Sequence, residues 1–228
     1  KIVYVHRSLA QEFLKRLSAE VEKLKFGMPW EKGVNLTPLP ELNKPEYLKE
    51  CIDDAVAHGA KVVNRNGGQS FETFVYPAIM YPVNSNMKLY REEQFGPVIP
   101  VVPFDDLEEP IEYLIGSPHG QQVSIFSNNA AVISSLIDPL VNQVSRVNIN
   151  CQCQRGPDAF PFTGRKDSAE GTLSVVDALR SFSIRSLVAT KFTDDNKKLL
   201  NEIVKGDDSN FLSTKYIFRY WDEYRLSI

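Results

Sequence analysis

The sequence predicts an α/β fold, in which a mostly parallel, twisted sheet is flanked by helices and followed by an edge-strand arm and a helical tail. Helical patterns alternate with short runs of β-branched residues along residues 1–150, which is typical of strand–helix–strand units. Turn-forming Gly, Pro and Asn residues separate these segments at short intervals. The 228 residues, of which 43% are hydrophobic and 24% charged, are enough for one sizeable core and an appended arm.

The N-terminal residues predict a buried strand followed by a helix. Residues 2–5 form an apolar run, and Ser8 with Gln11 three positions later has the pattern of a capping box. Gly27 is expected to end the helix. Apolar residues recur through it at helical spacing: Phe13, Leu14, Leu17, Val21 and Leu24.

A second helix is predicted after the proline-rich, irregular residues 28–43. It begins near Pro45, since proline is favoured in the first turn of a helix, and it ends at Gly59. A strand follows at residues 61–63. The apolar face of the helix carries Tyr47, Leu48, Cys51, Ile52 and Ala55.

Strands and helices continue to alternate in the middle of the chain. A turn at residues 66–68 precedes the first of the next predicted strands. These strands lie at residues 71–81, 98–104, 123–126 and 144–149. Asp105-Asp106 is expected to cap a helix that ends at Gly116, and Asn128 is expected to cap the next helix.

The regular pattern stops after residue 149. Residues 150–171 have no periodicity, and their mixed polar and aromatic content favours a functional loop. We therefore divide the chain into a core at residues 1–181, an oligomerisation-type strand at 182–190 and an extension at 191–228.

Within the extension, Thr193 is predicted to cap a short amphipathic helix that ends at Gly206. The aromatic-rich residues 211–228 are expected to be buried against another surface, such as a second subunit.

Charge and cysteine usage exclude several classes of protein. The net charge of −3 without a long basic run argues against nucleic acid or an anionic membrane as the main partner. No apolar stretch approaches the roughly 20 residues of a membrane helix, and no secretion leader is visible. The three cysteines include two that lie one residue apart, which is poor disulfide geometry, so a reducing, cytoplasmic compartment is expected. Because the chain does not begin with methionine, we expect it to be a piece of a longer protein.

The most informative motif is the Glu-Glu-Gln-Phe-Gly-Pro run at residues 92–97, directly before an apolar strand. It resembles the Glu-x-Phe-Gly-Pro signature of aldehyde dehydrogenases. Further blocks resemble that family in the same order, at residues 1–13, 27–30, 37–39, 74–77, 147–150 and 161–168. The resemblance covers residues 1 to about 190 and implies the fold of the family's catalytic domain.

One subgroup of the family matches the loop best. Residues 155–158 (Arg-Gly-Pro-Asp) and 160–162 (Phe-Pro-Phe) resemble the non-phosphorylating glyceraldehyde-3-phosphate dehydrogenases. The resemblance implies direct oxidation of a small phosphorylated aldehyde to 3-phosphoglycerate in glycolysis, with NADP or alternatively NAD. It also implies a homo-oligomer, a dimer or tetramer, in which the strand at 182–190 pairs with a neighbouring subunit.

The resemblance gives Glu93 and Phe95 roles in cofactor binding. The Glu93 carboxylate would accept hydrogen bonds from the hydroxyls of the nicotinamide ribose, and a surface ion pair is the alternative. Phe95 would pack beside the nicotinamide, and a core phenylalanine is the alternative.

Arg155 and Phe162 are the candidate substrate-binding residues. A guanidinium matches phosphate oxygens with a planar fork, so Arg155 would select a phosphorylated aldehyde; a salt bridge to Asp158 or Asp167 is the alternative. Phe162 would line the aldehyde tunnel or, alternatively, serve as an aromatic plug that stabilises the loop.

No catalytic residue is expected within this chain. In the family, the nucleophilic cysteine and the general-base glutamate correspond to positions before Lys1, so the chain alone should be inactive. Cys151 and Cys153 are predicted to be small buried or loop residues rather than the nucleophile, and no metal site is expected. The alternative function is a catalytically inactive, self-associating scaffold.

One departure from the family lies in the loop. Ala169-Glu170-Gly171 replaces the family's Gly-x-Gly, and Lys166 and Ser168 are interpreted as structural.

Overall fold

The computed structural model describes residues 1–157, 160–206, 209 and 211–212. The chain divides into two units, Lys1–Ala178 and Leu179–Ile228. The aromatic residues expected to be buried at the C-terminal end, Tyr216 to Tyr224 among them, lie outside the described residues.

Short strands and helices alternate through the chain. The strands are β1 Val3–His6, β2 Lys61–Val62, β3 Ser70–Phe71, β4 Phe74–Val75, β5 Ala78–Tyr81, β6 Val98–Phe104, β7 His119–Gly120, β8 Gln122–Ile125, β9 Arg146–Ile149 and β10 Arg165–Lys166. The helices are α1 Ala10–Val21, α2 Lys44–Ala57, α3 Lys88–Arg91, α4 Glu108–Gly116, α5 Ala130–Val141, α6 Val175–Ser181 and α7 Asp194–Gly206, with a 3-10 turn at Arg7–Leu9.

The larger sheet is mixed, in the strand order β1-β6-β5-β2. Its central strand β6 pairs in parallel with β1 and β5, whereas β2 joins antiparallel at the edge over two residue pairs. A second parallel pair joins β8 to β9, and the short ribbons β3–β4 and β7–β10 are antiparallel. The α/β class is confirmed, and the longer ladders are the parallel ones.

Strand β6 separates two apolar clusters. Val101 packs with buried residues of α1, and its neighbour Val102 packs with buried residues of α2, because successive strand residues face opposite sides of a sheet. The predicted apolar face of α2 is buried as expected at Leu48, Cys51, Ile52 and Ala55. Burial of a large aliphatic side chain such as Leu48 or Ile52 stabilises the fold by about 1.5–3 kcal/mol.

The strand predicted at residues 71–81 is instead three short strands. Glu72 turns the chain with a φ of 51° between β3 and β4. Before β5, the buried Asn64 side chain donates to the Pro77 carbonyl and accepts from the Ile79 N–H, each at 2.8 Å. The Asn64 amide therefore extends the hydrogen bonding of β5 beyond the two residue pairs that it forms with β2.

Two predicted helix caps are wrong. Ser8 does not cap α1; its backbone N–H donates to the His6 ring nitrogen, and the helix begins at Ala10 and ends at Val21 rather than near Gly27. Helix α5 is capped by Asn129 rather than Asn128, since the Asn129 amide oxygen accepts from two backbone N–H groups of the first turn.

Residues 182–190, expected to be a strand, have no regular secondary structure in the second unit. Phe182, Ile184 and Leu187 are each more than 85% exposed. A strand needs a partner for its backbone N–H and C=O groups, and none of the strand pairings among the described residues includes this segment. Helix α7 is formed as predicted and ends at Gly206, and the Thr193 hydroxyl accepts from the Asn196 N–H.

Within the described residues, no helix is both long enough and apolar enough to cross a membrane.

Candidate functional site

The loop that carries Glu93 is braced by its neighbour Gln94. The buried Gln94 side chain donates to the Val98 carbonyl at 2.8 Å and accepts from the Gly96 N–H at 2.6 Å. At Gly96 a Cβ would lie 2.5 Å from the buried Leu48 side chain, which would have to shift to admit it. The sequence did not predict this role of Gln94, since no sequence pattern marks a glutamine whose side chain bonds to the backbone of its own loop.

Glu93 itself is half exposed. Its Oε2 atom lies 3.2 Å from Nε2 of His119, and the two side chains are 50% and 37% exposed. The neighbouring acid Glu92 has a different partner, because the Tyr47 hydroxyl donates to its carboxylate. The contact with His119 leaves half of the Glu93 side chain open to a ligand.

Phe95 projects from the same loop. Its side chain is 74% exposed and its φ is 42°, so the interpretation as a core phenylalanine is wrong. A non-glycine residue at positive φ is uncommon and points to a loop held by its surroundings. The braces around Gln94 and Gly96 supply that support.

Side-chain hydrogen bonds fix the backbone of the loop after β9. Asn150 and Ser127 exchange two bonds of 3.0 Å between the Asn150 amide and the Ser127 backbone. Arg146 Nη1 donates to the carbonyls of Gln154 and Gly156, at 3.1 and 2.7 Å. These contacts fix the backbone on both sides of Arg155.

Arg155 and Phe162 come together at one small cavity. The guanidinium carbon of Arg155 lies 5.2 Å from the centroid of the Phe162 ring. The cavity has a volume of about 10 Å³, room for about one water molecule. Its other lining residues are Gln122, Ser145, Arg146, Gly156, Pro157, Phe160, Pro161, Thr163, Leu173 and Ser174. Asp158, one alternative partner of Arg155, lies outside the described residues.

The ribbon of β7 and β10 connects the two groups of candidate residues. His119 of β7, the partner of Glu93, pairs with Lys166 of β10, which follows the Phe162 segment. The Lys166 ammonium donates to the carbonyls of Leu114, Ile115 and Ser117 at the C-terminal end of α4.

Ser168 and Gly120 complete this ribbon. The Ser168 hydroxyl accepts from the Gly120 N–H at 2.8 Å. The structural interpretation of Lys166 and Ser168 agrees with these contacts. Glu93 is not among the described residues that line the Arg155 cavity, so the two candidate groups share a ribbon rather than one closed pocket.

The cysteines differ in their surroundings. Cys51 is buried in α2, and burial raises the pKa of its thiol. Cys151 and Cys153 are exposed in the loop, where Cys153 Sγ lies 3.2 Å from the Ser124 hydroxyl oxygen. Among the described residues, no three His, Cys, Asp or Glu side chains are grouped as metal ligands.

Comparison with protein families matches residues 1–188 to the aldehyde dehydrogenase family. The chain is 35% identical over 196 residues to an NADP-dependent glyceraldehyde-3-phosphate dehydrogenase of Streptococcus equinus, covering 85% of this chain and 38% of that protein. It is 29% identical over 169 residues to a 3-sulfolactaldehyde dehydrogenase of Priestia aryabhattai, covering 74% of this chain and 35% of that protein.

Solved structures agree with these matches. The NADP-dependent glyceraldehyde-3-phosphate dehydrogenase of Bacillus halodurans C-125, complexed with NADP, has a TM-score of 0.78 at 30% identity over 85% of this chain and 40% of its own. The glyceraldehyde-3-phosphate dehydrogenase of Methanocaldococcus jannaschii, also complexed with NADP, has a TM-score of 0.75 at 25% identity, covering 83% of this chain and 41% of its own. The chain therefore spans less than half the length of these proteins.

Proposed function

Because this chain belongs to the aldehyde dehydrogenase family, we propose that it forms the ribose-binding and substrate-binding part of an NADP-dependent enzyme that oxidises glyceraldehyde 3-phosphate to 3-phosphoglycerate. The observation that carries the proposal is the 35% identity, over 85% of the chain, to an enzyme named for this cofactor and this substrate. The proposed setting is glycolysis in the cytoplasm.

Glu93 is proposed to bind the nicotinamide ribose. A carboxylate offers about four lone-pair sites on two oxygens, and one contact with His119 leaves sites for the two ribose hydroxyls. The exposed ring of Phe95, two residues away, provides an apolar surface for the nicotinamide. NADP itself would supply the acceptor for the hydride that leaves the aldehyde carbon.

Arg155 is proposed to bind the phosphate of the substrate, and Phe162 to line its path. The cavity of about 10 Å³ is far smaller than the roughly 300 Å³ or more of a small-molecule site, so Arg155 must turn away from Phe162 when substrate binds. An exposed contact of Arg with an aromatic ring contributes only about 0.5–1 kcal/mol. Hydrogen bonds to a phosphate dianion, at about 1.5–3 kcal/mol each, outweigh that loss.

The nucleophilic cysteine and the general-base glutamate of the proposed enzyme come from polypeptide other than these 228 residues. A thiolate attacks the aldehyde carbon in such enzymes, and a carboxylate activates the water that releases the acid. The side chains of this chain bind and orient the cofactor and substrate around that reaction.

Self-association is the second candidate function, favoured by the exposed apolar residues Phe182, Ile184 and Leu187 in the arm. We propose that this arm pairs with a second copy of the chain, giving a dimer or tetramer. Sedimentation of the complete enzyme before and after truncation at residue 181 tests it; an unchanged oligomeric state contradicts the proposal.

The test of the main proposal uses the complete enzyme that contains this chain. We expect NADPH formation from glyceraldehyde 3-phosphate without inorganic phosphate, with 3-phosphoglycerate as the product. The Glu93→Ala variant should raise the Kd for NADP about 10-fold or more, through loss of hydrogen bonds to a carboxylate. If the enzyme oxidises only unphosphorylated aldehydes, the proposed substrate is wrong. If the Kd for NADP is unchanged in Glu93→Ala, the proposed ribose site is wrong.

A further inference from the structure

His119 contacts the proposed ribose-binding carboxylate directly. Its Nε2 atom lies 3.2 Å from Oε2 of Glu93, while the histidine is 37% and the glutamate 50% exposed. His119 comes from β7, whereas Glu93 lies in the loop between α3 and β6, 26 positions earlier in the chain. The pair therefore joins two separate elements of the fold.

The backbone of His119 is held on both sides. The His119 N–H donates to the Ser117 hydroxyl at 3.2 Å, and His119 pairs with Lys166 in the β7–β10 ribbon. At the adjacent Gly120, a Cβ would lie 2.3 Å from the Gln143 carbonyl oxygen, so the ribbon is closely packed against the loop between α5 and β9. The imidazole is thus presented from a fixed backbone toward a glutamate with a longer, more flexible side chain.

The acid next to Glu93 has a different partner. Glu92 accepts a hydrogen bond from the Tyr47 hydroxyl and is directed to α2. The His119 contact therefore distinguishes Glu93 from its neighbour in the same motif.

We propose, on the basis of the proposed function, that His119 is a positioning residue for NADP binding. With Nε2 protonated, the imidazole donates to Oε2 of Glu93 and restricts the carboxylate to one orientation. Oε1 and the remaining lone pairs of Oε2 would stay available to accept hydrogen bonds from the ribose hydroxyls. Fixing the side chain before the cofactor arrives removes an ordering penalty from binding, so His119 acts on cofactor affinity through Glu93.

The experiment is a double-mutant cycle in the complete enzyme, with the Kd for NADP as the readout. The variants are Glu93→Ala, His119→Ala, their combination and His119→Gln. We expect His119→Ala to raise the Kd for NADP about fivefold when Glu93 is present, an effect at the upper end for solvent-exposed ion pairs. In the Glu93→Ala background, His119→Ala should have no further effect on the Kd. His119→Gln, whose amide donates a hydrogen bond, should restore most of the affinity.

The outcomes separate the two proposals. If Glu93→Ala leaves the Kd for NADP unchanged, the proposed ribose site is wrong. If Glu93→Ala weakens binding but His119→Ala has the same effect with and without Glu93, the ribose site stands and the positioning role of His119 is overturned. Circular dichroism shows whether His119→Ala still folds. If it does not fold, the His119→Gln variant decides the question, and a Kd for NADP as high as that of Glu93→Ala contradicts the proposal.

Discussion

The guanidinium of Arg155 lies over the ring of Phe162, 5.2 Å from its centroid, at the edge of the loop that follows β9. Arg155 is exposed and Phe162 is half-buried. An exposed cation above an aromatic face is held weakly, whereas the backbone on both sides of Arg155 is fixed by Arg146. The arrangement gives a firmly placed backbone with a releasable charged side chain, which suits a group that binds a phosphorylated ligand.

Replacing Arg155 with Ala should therefore reduce kcat/KM for glyceraldehyde 3-phosphate about 10- to 100-fold in the complete enzyme, mainly through KM. The kcat/KM of Arg155→Lys should lie between those of the unmodified enzyme and Arg155→Ala, because lysine keeps the charge but lacks the planar guanidinium fork. Steady-state kinetics with phosphorylated and unphosphorylated aldehydes measure the effect. The kcat/KM for the unphosphorylated aldehyde should change little.

Arg65→Ala is the matched control for this series, since Arg65 is also exposed but lies in the turn after β2. Arg65→Ala should leave kcat/KM unchanged for both the phosphorylated and the unphosphorylated aldehyde. An unchanged KM for the phosphorylated aldehyde in Arg155→Ala would contradict the phosphate role of Arg155.

Gly120→Ala should destabilise the protein by about 1–3 kcal/mol, because the new Cβ would lie 2.3 Å from the Gln143 carbonyl oxygen in a closely packed ribbon. Gly116→Ala is the control, since nothing lies within 4 Å of its Cβ position and it ends helix α4. That substitution should be neutral or stabilise by up to about 1 kcal/mol. Urea unfolding followed by circular dichroism measures both; equal stabilities would contradict the packing argument.

Local patterns predicted the elements that local chemistry determines. The spacing of Leu48, Cys51 and Ala55 predicted the buried face of α2, and the apolar run at Val98–Phe104 predicted the central strand. The resemblance of residues 92–97 to a family signature is confirmed by the family match. These features depend on residues close together in sequence, so periodicity and motif reveal them.

Contacts between distant segments could not be predicted in the same way. No sequence pattern relates His119 to Glu93, or Asn64 to Pro77, because each pair is formed by packing of separate elements. The errors at Ser8 and Asn128 have a different, local origin, since several neighbouring residues can cap a helix and the pattern does not fix which one does. The roles of Glu93, Phe95, Arg155 and Phe162 remain predictions.

Lys166→Met should destabilise the first unit by about 1 kcal/mol. The Lys166 ammonium donates to three carbonyls at the C-terminal end of α4, where a positive charge is favourable, but the group is exposed and part of this contribution is screened. Lys15→Met on the exposed side of α1 is the control and should change the free energy of unfolding by less than about 0.5 kcal/mol. If the two variants unfold at the same urea concentration, the capping role of Lys166 is refuted.

Thiol labelling should distinguish the three cysteines. Cys151 and Cys153 are exposed, whereas Cys51 is buried and burial raises the pKa of its thiol, which lowers the fraction of reactive thiolate. Brief treatment of the native protein with iodoacetamide should modify Cys151 and Cys153 and leave Cys51 intact, as measured by peptide mass spectrometry. The same treatment in concentrated urea should modify all three, and equal rates at Cys51 and Cys153 in the native protein would speak against a packed α2.

Stability should fall at alkaline pH because of two partly buried tyrosines. Burial raises the pKa of Tyr4 above its ordinary value of about 10, and the hydrogen bond to Tyr90 acts in the same direction; burial also raises the pKa of Tyr113. The unfolded chain releases these protons near pH 10 while the folded chain retains them, so the contribution of these tyrosines to the free energy of unfolding is constant below about pH 9 and declines from about pH 10 upward. Tyr4→Phe removes one such group and should lessen the decline between pH 9 and 11 by about 1 kcal/mol in urea unfolding experiments. Ultraviolet titration provides the check: if the native protein ionises all its tyrosines at the same pH as the urea-unfolded chain, burial of Tyr4 and Tyr113 has no effect on their protons and the predicted decline has no cause.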